Sequence, residues 1–238
     1  MKTCYHLIRL FLCLGFALLF SCCSSDEFTL TEENNTLVQR QNIANSYEQT
    51  GILYSQIYHE YQLIHSDSSY SINRIITEVE KIIALSTIYN ESMEAYSSID
   101  NAVIQDIIFN HSNILENYIE NSALSPIAQQ LFIGVIASLD NTSHNEQLDT
   151  LIDFEHHVMK DSLLTSLDQK ILLNSSSIMR HSLDNGDDTD WDNSGDTILK
   201  ATLIGMKENT SKAIVMAVVV QVFIRQQTED KVPDEMSP

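Results

Sequence analysis

The sequence predicts an all-α fold, a bundle of six to eight helices in one domain. Three observations predict it. Apolar residues recur at spacings of three and four along most of the chain. No run alternates apolar and polar residues between turn signals, as a half-buried strand would. Gly and Pro are scarce, six and three in 238 residues, so little interrupts a helix.

The first element is an address. Lys2 and Arg9 give a positive start, and residues 10–20 read LFLCLGFALLF. Spanning a bilayer as a helix takes about 20 residues, so this shorter run fits the apolar centre of a secretory signal. Leu19-Phe20-Ser21-Cys22 follows. These residues resemble the lipobox of bacterial lipoproteins, with Leu three before the cut, a small residue before it and Cys after it. Phe20 is bulkier than that motif's usual residue, and a cut before Cys23 fits less well. The resemblance implies that residues 1–21 leave and that Cys22 becomes the lipidated N-terminus. The other readings are an ordinary secreted chain or an uncleaved anchor. Several acyl chains bury far more CH₂ than the single chain that gives marginal membrane binding.

With Cys4 and Cys13 removed and Cys22 lipidated, no intramolecular disulfide forms. Residues 24–27 read SSDE and resemble the surface-export signal of Bacteroidota lipoproteins. That implies an outer-membrane lipoprotein displayed at the cell surface; otherwise the body faces the periplasm. Residues 22–35 read as a flexible acidic tether.

The helical domain is expected over residues 36–228. Tyr47, Thr50, Tyr54, Ile57, Tyr61 and Ile64 define the first stripe. Ile72, Ile75, Val79, Ile82, Ser86, Tyr89, Met93 and Tyr96 keep the same alternation and predict one long helix, with Ser71 as its N-cap. Ile104, Ile108, His111, Leu115 and Tyr118 share the next stripe. Ser125-Pro126 supplies a cap and a first-turn proline for a helix ending near Leu139. After a turn at 141–145, helices are expected at about Glu146–Lys160 and Ser166–Ser182. Ser175-Ser176-Ser177 gives the second of these a narrow face for close packing. Residues 184–196 read as a loop, with helix resuming at Thr197 and faltering near 208–210. The tail 229–238, with Pro233 and Pro238, reads as disordered.

The acidic loop is the most singular stretch. Asp188, Asp190 and Asp192 alternate, and Asp196 follows. Calcium takes six to eight oxygens, which converging carboxylates and carbonyls supply. The start resembles an EF-hand loop, but Asn193 stands where that loop has Gly and Leu199 where it has Glu. What remains is a looser Ca²⁺ site, or a solvated loop held open by repulsion. Trp191, the only Trp, is either a contact for a protein or sugar or a side chain folded back on the bundle.

His111 sits on an apolar stripe and reads as a core histidine. Asp153 and His157 share a helix face beside Glu155 and His156, and read as a surface charge pair. Neither H-E-x-x-H nor a repeated Glu-x-x-His occurs to support a metal centre. No G-x-S-x-G, P-loop or G-x-G-x-x-G occurs, so no catalytic residue is assigned and no enzyme is expected. The run 213–224, AIVMAVVVQVFI, is too short to span a bilayer and reads as a core helix. The alternative is a membrane-inserting hairpin with residues 197–206. Asp149-Thr150-Leu151, Asp161-Ser162-Leu163 and Asp196-Thr197-Ile198 resemble the O-glycosylation sequon of exported Bacteroidota proteins; the same residue types also cap helices.

Thirteen Lys and Arg against 33 Asp and Glu give −20. A net anion has no counterions to release from phosphate, so nucleic acid is excluded as a partner. The expectation is a lipid-anchored envelope protein with a non-catalytic binding domain for a protein or glycan. The alternatives are an immunity-type lipoprotein that neutralises a basic toxin, and a membrane-active effector using 197–224.

Overall fold

The computed structural model describes residues 41–65, 70–110, 114–140, 142–184 and 191–229. The signal segment, Cys22, the tether, His111, Asp188, Asp190 and residues 230–238 lie outside the described residues. Among the described residues there are ten helices and no strand: α1 Glu48–His65, α2 Ile72–Leu85, α3 Thr87–Ser92, α4 Asn101–Phe109, α5 Leu115–Glu120, α6 Pro126–Leu139, α7 His144–Lys160, α8 Ser166–Asp184, α9 Trp191–Met206 and α10 Thr210–Glu229. Eight of them run to seven residues or more, so the all-α bundle stands.

Two helices form the interior. Every residue of α8 from Ile171 to Leu183 is buried, polar ones included. A helix buried all round must find partners for its polar groups. The α10 run is likewise core: Ala213 to Val220 are all buried. Gln221 inside that run is buried and accepts a hydrogen bond from Tyr54 Oη at 3.2 Å. One turn further on, Arg225 Nη1 donates to Tyr58 Oη at 3.1 Å. Tyr54 and Tyr58 of α1 thus hold apolar bodies in the core while their hydroxyls meet the polar groups of α10. No helix among the described residues is long and apolar enough to cross a membrane.

Two apolar clusters result. One joins α1, α2, α4 and α10; the other joins α5, α6, α7 and α8, with α9 feeding both. Asp168 links the second cluster's elements. It accepts from Ser125 N at 2.7 Å and from Thr165 N at 2.9 Å, fastening the start of α6 to the start of α8.

Four sequence expectations are corrected. Among the described residues the first helix starts at Glu48; before it, the side chains of Asn42 and Asn45 accept from Ala44 N and Tyr47 N and fold 42–47 into successive turns. The long stripe from Ile72 breaks at Ser86, whose N–H closes α2 on Ile82 and whose side chain accepts from Tyr89 N to open α3. The stripe from Ile104 is likewise two helices, α4 and α5. Finally, helix begins at Trp191, six residues before Thr197. Asp192 and Asp196 then fall within the first turns of α9. Elsewhere the local chemistry read true: Ser125 caps α6 with Pro126 in its first turn.

Candidate functional site

The densest polar constellation lies inside the bundle, where α1, α7 and α8 meet. Its geometry starts with a glycine. A Cβ at Gly51 would run into the His181 ring and Ser177, so only glycine lets α1 approach α8 this closely. Gly51 N, one of the first-turn amides that a helix leaves unpaired, donates to Ser177 Oγ at 3.1 Å. Ser177 Oγ donates in turn to Glu48 O at 3.2 Å. Thr50 Oγ1 donates to Asn174 Oδ1 at 2.5 Å. The serine run does allow close helix approach, at Ser177.

Arg180 lies at the centre, with 0% of its surface exposed. Its Nε donates to Glu155 Oε1 at 2.9 Å and its Nη2 to Glu155 Oε2 at 3.2 Å, a bidentate pair. Nη2 also pairs with Glu48 Oε2. His181 Nε2 lies 3.0 Å from Glu48 Oε1. Asn42 Nδ2 donates to Glu155 Oε2 at 2.7 Å, and Asn45 Nδ2 donates to Leu173 O at 3.2 Å. The turns that precede α1 are therefore bonded to α7 and α8.

Electrostatics favour the charged forms of Glu48 and Arg180. Burial works to raise the Glu48 carboxyl, but hydrogen bonds and charge from His181 and Arg180 outweigh it and hold the pKa below the usual range. Burial works to lower Arg180, and the charges of Glu155 and Glu48 raise it instead. Two carboxylates face one guanidinium, and the His181 ring lies against one of them, Glu48. Ser177 Oγ also lies 3.4 Å from Glu48 Oε2, so hydroxyl, carboxylates and guanidinium are bonded to one another and the arrangement clamps α1, α7 and α8 together.

The residues singled out in the sequence fall elsewhere. Glu155, read as part of a surface group with His156 and His157, is 0% exposed and belongs to the clamp. Asp153 and His157 line a groove of about 420 Å³ between α6 and α7. His157 Nε2 stands 3.7 Å from Asp161 Oδ2, so its carboxylate partner is one turn further along than Asp153. Trp191, Asp192 and Asp196 lie in the first turns of α9, with the two acids one helical turn apart. Among the described residues no group of three or more His, Cys, Asp or Glu is placed to hold a metal ion. Asp161 accepts from Leu163 N at 2.8 Å, a turn role within one of the sequon-like triplets.

A second groove of about 320 Å³ opens between α4 and the α9–α10 turn, lined by Val103, Ile204 and Met216 with Lys207, Glu208 and Lys212. Hydrogen bonds from Lys212 and Ser97 hold the Glu208 carboxyl down to about 2. Asn209 Nδ2 donates to Ala95 O at 2.8 Å, so this corner straps the extended segment after α3.

The clamp escaped sequence reading because its partners are remote. Glu155 and Arg180 are 25 residues apart, and Glu48 and Arg180 are 132 apart. The one usable signal was Arg180 itself, a cation directly after the uncharged run 171–179 of α8. Compared with protein-family models, curated proteins and solved structures, the chain matches none.

Proposed function

We propose that this chain is a lipid-anchored cell-envelope protein whose helical domain binds a partner and performs no catalysis. The observation that carries the reading is Leu19-Phe20-Ser21-Cys22 placed directly after the apolar run 10–20. The use of the clamp's charged groups on one another supports the non-catalytic half, because a binding domain needs a rigid body and an accessible surface. The net charge of −20 favours a basic partner over an anionic surface.

Two measurements test it. Cys22→Ser is expected to abolish labelling by a fatty-acid probe, and labelling that persists removes the anchor. Protease shaving of intact cells is expected to remove a C-terminal tag while a periplasmic marker survives. Protection until the outer membrane is opened places the body inside and removes surface display.

A further inference from the structure

In a chain of net charge −20, three segments without any charged residue meet at one end of the bundle: Gln41 to Tyr47, Asn121 to Leu139 and Ser162 to Leu167. The last of these is the turn from α7 into α8. Asp168 accepts from Ser125 N at 2.7 Å and so sets the start of α6 against that turn. Asn42 bonds Glu155 and Asn45 bonds the Leu173 carbonyl, each within about 11 Å of the turn along its helix. All three segments put large apolar side chains into solvent. Ile43 is 91% exposed, Ile127 50%, Leu163 69% and Leu167 52%. Among the described residues none of the four packs against either apolar cluster. The acids beside them are turned inward. Asp168 is buried, and the Asp161 side chain is 18% exposed and accepts from Leu163 N. At the rim, Lys160 and Glu120 are exposed, one charge of each sign.

We propose that this end of the body docks on a lipid surface, with Ile43, Ile127, Leu163 and Leu167 set into the interface of a zwitterionic bilayer. The inference rests on the lipid-anchor reading above and adds to it the orientation of the body. Two observations select lipid as the occupant. First, the chain enters the bundle at this end. Gln41 stands 19 residues after Cys22, so an anchor at Cys22 fastens the body beside these four side chains and makes their contact with lipid intramolecular. Second, the charge pattern fits lipid and not a basic protein. A basic partner of a body at −20 is drawn to acidic surface, and these segments offer it none. The boundary between headgroups and acyl chains takes apolar side chains instead, and a net-neutral rim meets zwitterionic headgroups without repulsion. Four side chains bind weakly alone. Beside acyl chains they form the second signal that steadies an anchored body. The acid-bearing surface then points away from lipid, where a basic partner can reach it.

The test uses the full chain on phosphatidylcholine vesicles, with Trp191→Phe so that one introduced tryptophan reports. Flotation with the vesicles reads the anchor, and quenching by lipids brominated on their acyl chains reads the depth of the tryptophan. Leu167→Trp is expected to be quenched at least about twofold more than Leu63→Trp, a comparably exposed site on α1, whose core belongs to the other apolar cluster. Adding Leu163→Asp to Leu167→Trp is expected to keep Tm, because the site is exposed, and to bring quenching down to the Leu63→Trp level. Flotation with equal quenching at positions 167 and 63 overturns the docking and leaves the anchor standing. Quenching indifferent to Leu163→Asp does the same. A chain that stays out of the floating fraction overturns the anchor, and this proposal with it.

Discussion

Among the described residues Arg180 is the largest fully buried side chain, and it is charged. Removing a guanidinium from water costs several kcal/mol, which Glu48 and Glu155 offset only because the geometry is bidentate and closed. Losing the cation leaves two buried carboxylates facing each other. Arg180→Met is therefore expected to destabilise the fold by about 3–5 kcal/mol in urea unfolding. Adding Glu48→Gln and Glu155→Gln to it is expected to recover part of that loss; no recovery means that Arg180 acts mainly by packing.

Acid attacks the clamp at Glu48 and the α6–α8 junction at Asp168. Glu48 and Asp168 both titrate below their ordinary values, 4.5 and 3.8. For Asp168, burial pushes upward but is outweighed by hydrogen bonds from Ser125 and Thr165. A depressed carboxyl stabilises above its unfolded pKa, and that stability is lost as pH falls through the folded one. Tm is thus expected to fall progressively below about pH 4.5, with Asp168→Asn already less stable at pH 7 and less sensitive to acid. A parallel decline in both proteins removes Asp168 from the account. None of this was legible locally. Glu155 beside His156 and His157 reads as surface until α8 supplies its cation.

At the scale of elements, periodicity and capping behaved differently. The 3-4 alternation found core side chains at Ile75, Val79, Ile82 and Tyr89, but Ile64 at the end of the first stripe is 57% exposed. It did not show the break at Ser86, because a serine lying on the stripe keeps the period while its backbone turns. The strap from Asn209 to Ala95 is a tertiary constraint with no local trace. Ser125-Pro126 was readable because cap chemistry is contained in adjacent residues. Glycine likewise has a meaning that only packing reveals. Gly51→Ala is expected to destabilise by about 1–3 kcal/mol, since the added methyl overpacks α1 against α8. Gly134→Ala, where a Cβ meets nothing within 4 Å, is expected to stabilise the fold by up to about 1 kcal/mol, the gain of alanine in an open helix. Denaturant midpoints of the two variants check the opposite signs, and a shared sign breaks the argument that only one of these glycines serves the packing.

At the scale of the molecule, the bundle is joined at the point where the chain leads into it. Asn42 and Asn45 bond the turns before α1 to Glu155 and to the Leu173 carbonyl. Asn42→Asp tests this coupling. An aspartate there sets a carboxylate against Glu155 where a donor stood, an unpaired charge that burial cannot tolerate. The substitution is expected to release the turns and the first turn of α1 while α10 stays closed, because α10 is held by separate apolar contacts. Hydrogen exchange reads this directly. Amides of residues 45–51 are expected to exchange at least about tenfold faster in the variant, with amides of 213–223 unchanged. Equal acceleration at both sites means that the clamp and the core open as one unit, and that the lead-in is part of the global fold.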